Sequence, residues 1–244
     1  MLLKIYSKLS WILFKKFWHY SNGLLYQFKA PNYIQHAYAI HYFFNNNHSF
    51  NELCDLVINK TSPTIIDVGS NIGFTALNFK NKIANSNLIC VEPVPLNRKY
   101  FTSNLVNYEY NLIPLGVGEA DEKIKIGIPE GTYDTGMYSK NFINKNSIEI
   151  QIRPLDKIFN FFSIDNVDII KIDVEGMEFD VLKGAESIIK KYNPVLYFEV
   201  NKKVSENYSD IKEYLISLDY AEYNPRDIDY NQLTKFDVIW KKRQ

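Results

Sequence analysis

The amino-acid sequence predicts an α/β protein whose sheet is mostly parallel and is covered by helices on both faces. From Thr64 onward, short apolar runs alternate with segments of helical length, a pattern typical of right-handed βαβ units. With 244 residues, 46% of them hydrophobic and 23% charged, the chain is long enough to bury a substantial core. We therefore expect one α/β domain over residues 61–244, preceded by an extension over residues 1–60.

The extension is predicted to be helical. Its first twenty residues mix apolar and basic side chains, and no apolar run reaches the roughly 18 residues of a membrane span, because it is interrupted by Lys4, Lys8, Lys15 and Lys16. No secretory signal is recognisable. Two interpretations of residues 1–20 stay open: a helix that caps the domain, or a basic amphipathic helix in peripheral contact with an anionic membrane. A loop over Asn45–Ser49, a short helix over 50–59 and Pro63 complete the extension.

Five apolar runs predict the parallel strands: Thr64–Val68, Asn87–Val91, Leu112–Leu115, Val167–Ile172 and Pro194–Val200. Helices are predicted at Phe74–Lys80, from Pro95 to about Asn107, at Glu178–Lys191 and at Ser209–Leu218. Between residues 119 and 156 the pattern changes to an insertion or antiparallel excursion, in which strands Lys123–Ile128 and Ser147–Arg153 flank a polar loop, Glu130–Asn146. Tyr220–Tyr223 and Phe236–Trp240 are expected to pair as closing strands.

The first predicted strand runs into a glycine loop, Asp67-Val-Gly-Ser-Asn-Ile-Gly73. Gly69 and Gly73 allow the backbone to turn sharply and approach a ligand, and Asn71 tolerates a positive φ. The loop lacks the G-x-G-x-x-G fingerprint of dinucleotide sites and any phosphate-binding Lys-Ser/Thr pair. A carboxylate at Asp67 suits a ligand that carries a cation. These features favour S-adenosylmethionine, which has an ammonium and a sulfonium but no phosphate.

Two further strand ends add to this site, because ligands of open α/β sheets bind beyond the carboxyl ends of the strands. Glu92 follows the second strand, where an acid accepts ribose hydroxyls. Gly116-Val117-Gly118 follows the third strand and could let an adenine lie against the backbone, although short glycine pairs are common in turns.

The fourth strand ends in Lys171-Ile-Asp-Val-Glu-Gly-Met-Glu178. Strand alternation places Lys171, Asp173 and Glu175 on one face, and three charges on a buried strand are costly unless they pair or serve a ligand. Asp173 and Glu175 are predicted to orient an acceptor hydroxyl, to act as general base, or to hold a divalent cation together with Glu199. The structural alternative for Lys171 is an internal ion pair, with Asp67 as a candidate partner.

These segments resemble the FkbM-type methyltransferase family over roughly Pro63 to Val200. The string K-I-D-V-E-G-x-E-x-x-V-L-x-G-A at Lys171–Ala185 is much more specific than the glycine loop. The resemblance implies a Rossmann-like class I methyltransferase fold with seven strands, and methyl transfer to oxygen, often of a sugar or natural-product hydroxyl. The N-terminal extension is not part of the family pattern.

Residues and resemblance together give the predicted site. The cofactor-binding residues are Asp67, Gly69, Ser70, Asn71, Gly73, Glu92, Pro93, Gly116 and Val117. The catalytic residues are Lys171, Asp173, Glu175 and Glu199. All four histidines precede the glycine loop, so a general base must be a carboxylate, a tyrosine or a lysine. The polar loop, with Tyr133, Asp134, Tyr138 and Lys140, is a candidate wall of the acceptor pocket.

The leading hypothesis is an S-adenosylmethionine-dependent O-methyltransferase acting on a small molecule, a glycan or a glycan precursor. A nucleotide-dependent oxidoreductase and a non-catalytic, membrane-associated binding module are the alternatives. The formal net charge is zero, which gives no electrostatic reason to expect nucleic acid as a partner. Two distant cysteines, Cys54 and Cys90, predict a reducing, cytoplasmic location, with peripheral attachment to the inner face of the membrane as an open addition.

Overall fold

A computed structural model describes residues 2–14, 16–21, 24–44, 48–127, 138–140, 142–144, 147–162, 164–201 and 208–243. Its strands are β1 Lys16–Ser21, β2 Leu24–Lys29, β3 Thr64–Val68, β4 Asn87–Val91, β5 Asn111–Ile113, β6 Gly116–Val117, β7 Glu122–Ile126, β8 Ile148–Arg153, β9 Ile169–Ile172, β10 Val195–Asn201, β11 Tyr220–Glu222 and β12 Lys235–Lys242. Its helices are α1 Leu2–Phe14, α2 Tyr33–Phe44, α3 His48–Asp55, α4 Phe74–Lys82, α5 Pro95–Asn104, α6 Leu155–Phe159, α7 Glu178–Gly184, α8 Glu186–Tyr192 and α9 Tyr208–Ser217.

The main sheet has seven strands in the order β11-β12-β10-β9-β3-β4-β5. Strands β10, β9, β3, β4 and β5 pair in parallel, whereas β12 is antiparallel to both β10 and β11. The prediction of a mostly parallel seven-stranded sheet with antiparallel closing strands is therefore confirmed. No helix among the described residues combines the length and apolar character that crossing a membrane requires.

Both faces of the main sheet are buried, as expected for parallel strands covered by helices. Ile65 on β3 and Ile169 on β9 belong to one hydrophobic core, while their neighbours Ile66 and Ile170 belong to the core on the opposite face. The strands read as continuous apolar runs for this reason. The carboxyl ends of β3, β4, β9 and β10 meet at one edge, where polar residues can gather.

A second, three-stranded sheet, β6-β8-β7, accounts for the region between residues 119 and 156. Strand β7 is antiparallel to β8, and the short β6 runs parallel to it, so the predicted antiparallel excursion is correct in its main pair. The predicted third strand, Leu112–Leu115, is wrong at its end. Pro114 has no N–H to offer a strand ladder, and the chain leaves the main sheet after Ile113.

The predicted single helix at Glu178–Lys191 is divided into α7 and α8. The carboxylate of Asp156 accepts hydrogen bonds from the backbone N–H groups of Ser187 and Ile188, at 2.9 and 3.0 Å. An acid that satisfies the free N–H groups of a first turn favours a helix start at that point. The division thus depends on a residue far away in sequence.

The prediction that residues 1–60 are entirely helical is also wrong. Strands β1 and β2 form an antiparallel ribbon in which Lys16 pairs with Lys29 and Ser21 with Leu24. The sequence between them is Asn22-Gly23, a pair typical of two-residue hairpin connections, although both residues lie outside the described ones. Around the ribbon, α1, α2 and α3 are helical as expected, and α3 begins at His48 rather than at residue 50.

Candidate active site

A cavity of about 400 Å³ lies beyond the carboxyl ends of the central strands. A smaller one of about 180 Å³ adjoins it on the side of α2. The two share wall residues from the glycine loop, from the end of β9 and from β10: Gln35, Gly69, Asn71, Asp173 and Glu199. Their position agrees with the rule that places ligands of open α/β sheets at this edge.

The glycine loop is held to the end of β4 by its own backbone. The N–H groups of Gly69 and Ser70 both donate to the carbonyl of Val91, at 2.9 and 3.1 Å. Gly69 has φ 77°, and a Cβ there would lie 1.9 Å from the carbonyl oxygen of Asp173. A side chain would therefore separate β3 from the end of β9. Asn71 takes φ 49°, as predicted.

Glu92 connects this loop to the next helix. Its Oε2 accepts the N–H of Asn71 at 2.8 Å, while its Oε1 accepts the N–H of Val94 at 2.8 Å and the amide of Asn97 at 3.3 Å. Burial raises the pKa of Glu92 to about 7, although these hydrogen bonds oppose the rise. Since each carboxylate oxygen can accept two hydrogen bonds, Oε2 still has capacity for a ligand hydroxyl at the cavity wall.

The side chain of Asp67 makes an internal ion pair. The Nζ of Lys171 lies 3.0 Å from Asp67 Oδ1 and 3.5 Å from Asp173 Oδ2, and the Asp67 side chain has no exposed surface. Burial disfavours the charge of Lys171, but the two carboxylates outweigh it and raise the pKa of this amine. The structural alternative for Lys171 is thus what the fold shows, and Asp67 reaches neither cavity. Its link to a ligand is indirect, through Lys171 and the loop.

Three carboxylates converge at the cavity: Asp173, Glu175 and Glu199 each offer an oxygen within 4.8 Å of the others. The predicted strand alternation does not extend this far, because β9 ends at Ile172 and Glu175 has φ 53°. A turn therefore brings Glu175 to the site, and the hydroxyl of Ser139 donates to its carbonyl at 3.1 Å. The predicted gathering of these three acids is confirmed.

Burial raises the pKa of Glu175 to about 7, and repulsion from Asp173 adds to the rise. The pKa of Glu199 is also raised to about 7 by burial and by Asp173, while Lys235 opposes the rise. The Nζ of Lys235 lies 2.7 Å from Glu199 Oε1. Both glutamates are therefore close to half-ionised near neutral pH.

Sequence reasoning missed several residues of this site. Lys235 and Asp237 come from β12, which the antiparallel register places beside β10, with Asp237 opposite Glu199. Gln35 comes from α2, and its amide donates to Asn71 Oδ1 at 3.4 Å. An alternating acid and lysine on a closing strand gave no local signal of a site, because their relation to Glu199 depends on strand order.

The three-stranded sheet supplies an apolar wall that was also missed. Ile126, Ile150 and Ile152 line the larger cavity next to Val94 and Met177, and the five side chains form one hydrophobic cluster. Tyr138 and Lys140 from the predicted polar loop line it too, whereas Tyr133 and Asp134 lie outside the described residues. A flat apolar surface opposite Glu92 suits an adenine ring beside a ribose.

The remaining predicted positions divide clearly. The larger cavity is lined by Gly69, Asn71, Glu92, Pro93, Gly116, Val117, Asp173, Glu175 and Glu199. Ser70 and Lys171 line the smaller one, and neither cavity is lined by Asp67 or Gly73. Gly73 instead begins α4 with φ 83°.

The donor set fits S-adenosylmethionine. Glu92 offers a carboxylate where ribose hydroxyls would lie, and the isoleucine wall offers apolar surface for a base. The described lysines that line the larger cavity are already paired, Lys235 with Glu199 and Lys140 with Asp180 at 3.4 Å. Within the described part of the wall, a phosphate would find no spare cation, whereas a cationic ligand would meet three carboxylates.

Comparison with known proteins identifies the family. The model of the FkbM methyltransferase domain matches residues 67–224, which is more than half of the chain. The chain belongs to the FkbM methyltransferase domain family. The predicted family is thus confirmed. The FkbM match covers the glycine loop, the three converging carboxylates and the three-stranded sheet, so these features lie in the family domain and not in the extension.

Curated FkbM-like relatives are distant. A protein named methyltransferase 1 from Beauveria bassiana is 25% identical over 144 residues, covering 50% of this chain and 58% of that protein. The 2-O-methyltransferase NoeI of Sinorhizobium fredii is 23% identical over 151 residues, covering 55% of this chain and 62% of that protein. The chain therefore spans about three fifths of these relatives.

A solved FkbM methyltransferase from Methylobacillus flagellatus superimposes with a TM-score of 0.53 at 18% sequence identity. The superposition covers 86% of this chain and 54% of that one. At this identity the likeness concerns the fold alone, and it agrees with the Rossmann-like class I arrangement that the sequence predicted.

Proposed function

We propose that this protein is an S-adenosylmethionine-dependent O-methyltransferase that acts on a hydroxyl of a sugar, glycan or glycan precursor. The observation that carries the proposal is the pair of glutamates with pKa near 7, Glu175 and Glu199, at the edge of a cavity whose other end has Glu92 and an apolar wall. The name of the 2-O-methyltransferase relative supports oxygen as the acceptor atom.

S-adenosylmethionine supplies an activated methyl group, so the protein's share of catalysis is alignment of the acceptor and removal of its proton. The wall residues hold the adenosine end, with Glu92 accepting from the ribose hydroxyls and the isoleucines covering the base. Asn71 and the backbone of Gly69 line the passage between this end and the carboxylates. The acceptor hydroxyl would then lie against Asp173, Glu175 and Glu199.

Glu175 is our candidate for the general base. Its pKa near 7 leaves a large ionised fraction at neutral pH and still makes it a stronger base than an ordinary carboxylate. Glu199 has a similar pKa but is held by Lys235 at 2.7 Å, which suits a positioning role. The same three acids offer oxygen ligands to a divalent cation, but Lys235 already neutralises one of them, which favours the base role.

The test is a Glu175→Gln variant assayed with radiolabelled S-adenosylmethionine and a panel of sugar and glycan acceptors. Loss of a general base predicts transfer slower by about 10²–10⁴-fold, with affinity for S-adenosylhomocysteine in calorimetry within a few-fold of wild type. Asp210→Asn, an exposed acid on α9, is the matched control and should keep full activity.

Three results would separate the parts of the proposal. Absence of heat with S-adenosylhomocysteine, together with heat from NADH, would overturn the cofactor assignment. Methyl transfer to amines or carbons, but to no hydroxyl, would overturn the acceptor class. Activity abolished by EDTA and restored by Mg²⁺, with Glu175→Gln and Glu199→Gln equally impaired, would replace the base role with a metal site.

A further inference from the structure

Helix α1 presents an apolar face to solvent. Five of its side chains are about half exposed or more: Leu2 81%, Ile5 48%, Leu9 52%, Ile12 57% and Leu13 65%. Their spacing of three and four residues places them along one side of the helix. Isolated exposed leucines are ordinary on a protein surface, but a continuous stripe of this kind marks an interaction site. We call these five residues the α1 stripe.

The opposite side of α1 is fixed to α2 by polar and aromatic contacts. Ser7 and Ser10 are buried, at 4% and 3% exposure, and the Ser10 hydroxyl lies 2.8 Å from Nε2 of His36. The ring of Trp11 lies 5.3 Å from that of His36. The helix is thus anchored by small polar groups while its leucines and isoleucines face outward, the reverse of an ordinary surface helix.

Charge around the stripe is exclusively positive in sequence. Five lysines (4, 8, 15, 16 and 29) and no acidic residue precede Glu52, in a chain whose formal net charge is zero. Lys4 and Lys8 are exposed, and each directly precedes a stripe residue, so both lie on one side of the stripe. Long lysine side chains in this position can reach anionic groups while the stripe is buried in an apolar layer.

We propose that α1 docks this protein onto an anionic lipid membrane, with the α1 stripe at the boundary of the acyl chains and Lys4 and Lys8 among the headgroups. A helix of 13 residues is about 20 Å long, too short to cross a bilayer but typical of a helix that lies in the interface. The occupant is a membrane and not a second copy, since pairing two stripes would bring two sets of lysines together without an acid on α1 to compensate them. This surface is separate from the proposed methyl transfer.

The test uses the full chain and large unilamellar vesicles in co-sedimentation. The wild type is expected to pellet with vesicles of phosphatidylcholine and phosphatidylglycerol and much less with phosphatidylcholine alone. Leu9→Ser/Ile12→Ser should weaken binding at least about tenfold, because two apolar side chains leave the interface. Lys4→Gln/Lys8→Gln should weaken binding to the anionic vesicles by about fivefold per lysine and leave binding to neutral vesicles unchanged.

Matched controls carry the same changes elsewhere on the surface. Val106 and Phe161 are 74% and 78% exposed, so Val106→Ser/Phe161→Ser removes comparable apolar surface; Lys99→Gln/Lys125→Gln removes two exposed lysines. Both controls should bind as the wild type does. Circular dichroism and thermal unfolding confirm that each variant is folded, and all substituted side chains are exposed.

Two results would overturn the proposal. One is wild-type protein that pellets no better with anionic than with neutral vesicles. The other is a concentration-dependent dimer in sedimentation velocity that Leu9→Ser/Ile12→Ser abolishes while vesicle binding is unaffected, which would assign the stripe to self-association. Neither result bears on methyl transfer, which S-adenosylhomocysteine binding and the Glu175→Gln variant test independently.

Discussion

Three glutamates at the cavity share a pKa near 7 for different physical reasons. Glu92 is raised by burial and restrained by three hydrogen bonds, two of them from the backbone. Glu175 is raised by burial and by its neighbour Asp173, and Glu199 by the same two causes against Lys235. A group held by fixed donors suits recognition of a ligand, whereas one raised by a like charge suits proton transfer.

The pKa of Glu92 predicts how cofactor binding depends on pH. Ribose hydroxyls donate to the ionised carboxylate, so affinity for S-adenosylhomocysteine should fall as the pH drops below about 7, by up to tenfold per unit. Calorimetry between pH 5.5 and 8 measures this slope. Glu175 and Glu199 titrate in the same range, so the slope belongs to Glu92 only if Glu92→Gln removes it. Glu109→Gln, at an exposed acid, should keep it; a slope unchanged in Glu92→Gln contradicts the assignment.

At the scale of elements, the pair of Asp67 and Lys171 joins β3 to β9. The two residues are direct partners in the parallel register and lie in the middle of a sheet buried on both faces. A lysine in a central strand is tolerated here because a carboxylate is provided at the same level of the neighbouring strand. The pair also lies under the glycine loop, since Lys171 Nζ is 3.3 Å from the carbonyl oxygen of Gly69.

This arrangement predicts strongly non-additive effects on stability. Lys171→Met should lower the free energy of unfolding by about 3–5 kcal/mol, because it leaves a buried carboxylate without a counter-charge. Asp67→Asn/Lys171→Met should recover most of that loss, since no uncompensated charge remains. Urea unfolding measures both. Lys183→Met, which removes an exposed ion pair with Glu119, should cost less than about 1 kcal/mol. Additive losses in the double variant would show that the two residues do not form a pair.

At the scale of the whole molecule, the N-terminal extension completes one of the two cores. Phe28, Ile40 and Leu53 have no exposed surface and belong to the same hydrophobic cluster as Leu77 and Phe79 of α4. Asn104 adds polar contacts, accepting from the N–H of Lys29 at 2.8 Å and donating to its carbonyl at 2.9 Å. The division at residue 60 stays a prediction, and this packing argues for one folding unit.

We therefore expect residues 61–244 alone to be unstable. Without residues 28–57, the apolar faces of α4 and of the strands beneath it would be exposed to water, and each buried leucine or phenylalanine is worth about 1.5–3 kcal/mol. Calorimetry of the full chain should show a single cooperative transition, and the 61–244 fragment should lack one. Removal of residues 1–15 is the control, because α1 is attached mainly through α2. A fragment 61–244 that unfolds cooperatively near the wild-type temperature would contradict this view.

The sequence by itself determined the alternation of strands and helices, the glycine loop with its left-handed Asn71, and the convergence of acids after β9 and β10. These features depend on patterns of two to four residues and on turns, all of which are local. It also predicted α1 as a helix, but not which face would be exposed.

Only the tertiary structure decided that Asp67 serves Lys171 and not a ligand, that isoleucines of a separate sheet form the cavity wall, and that Lys235 restrains Glu199. The Asn22-Gly23 pair was a usable local signal for the β1–β2 ribbon and was overlooked. For the other features no such signal existed, because strand order and register bring together residues far apart in sequence, and burial then sets their charge.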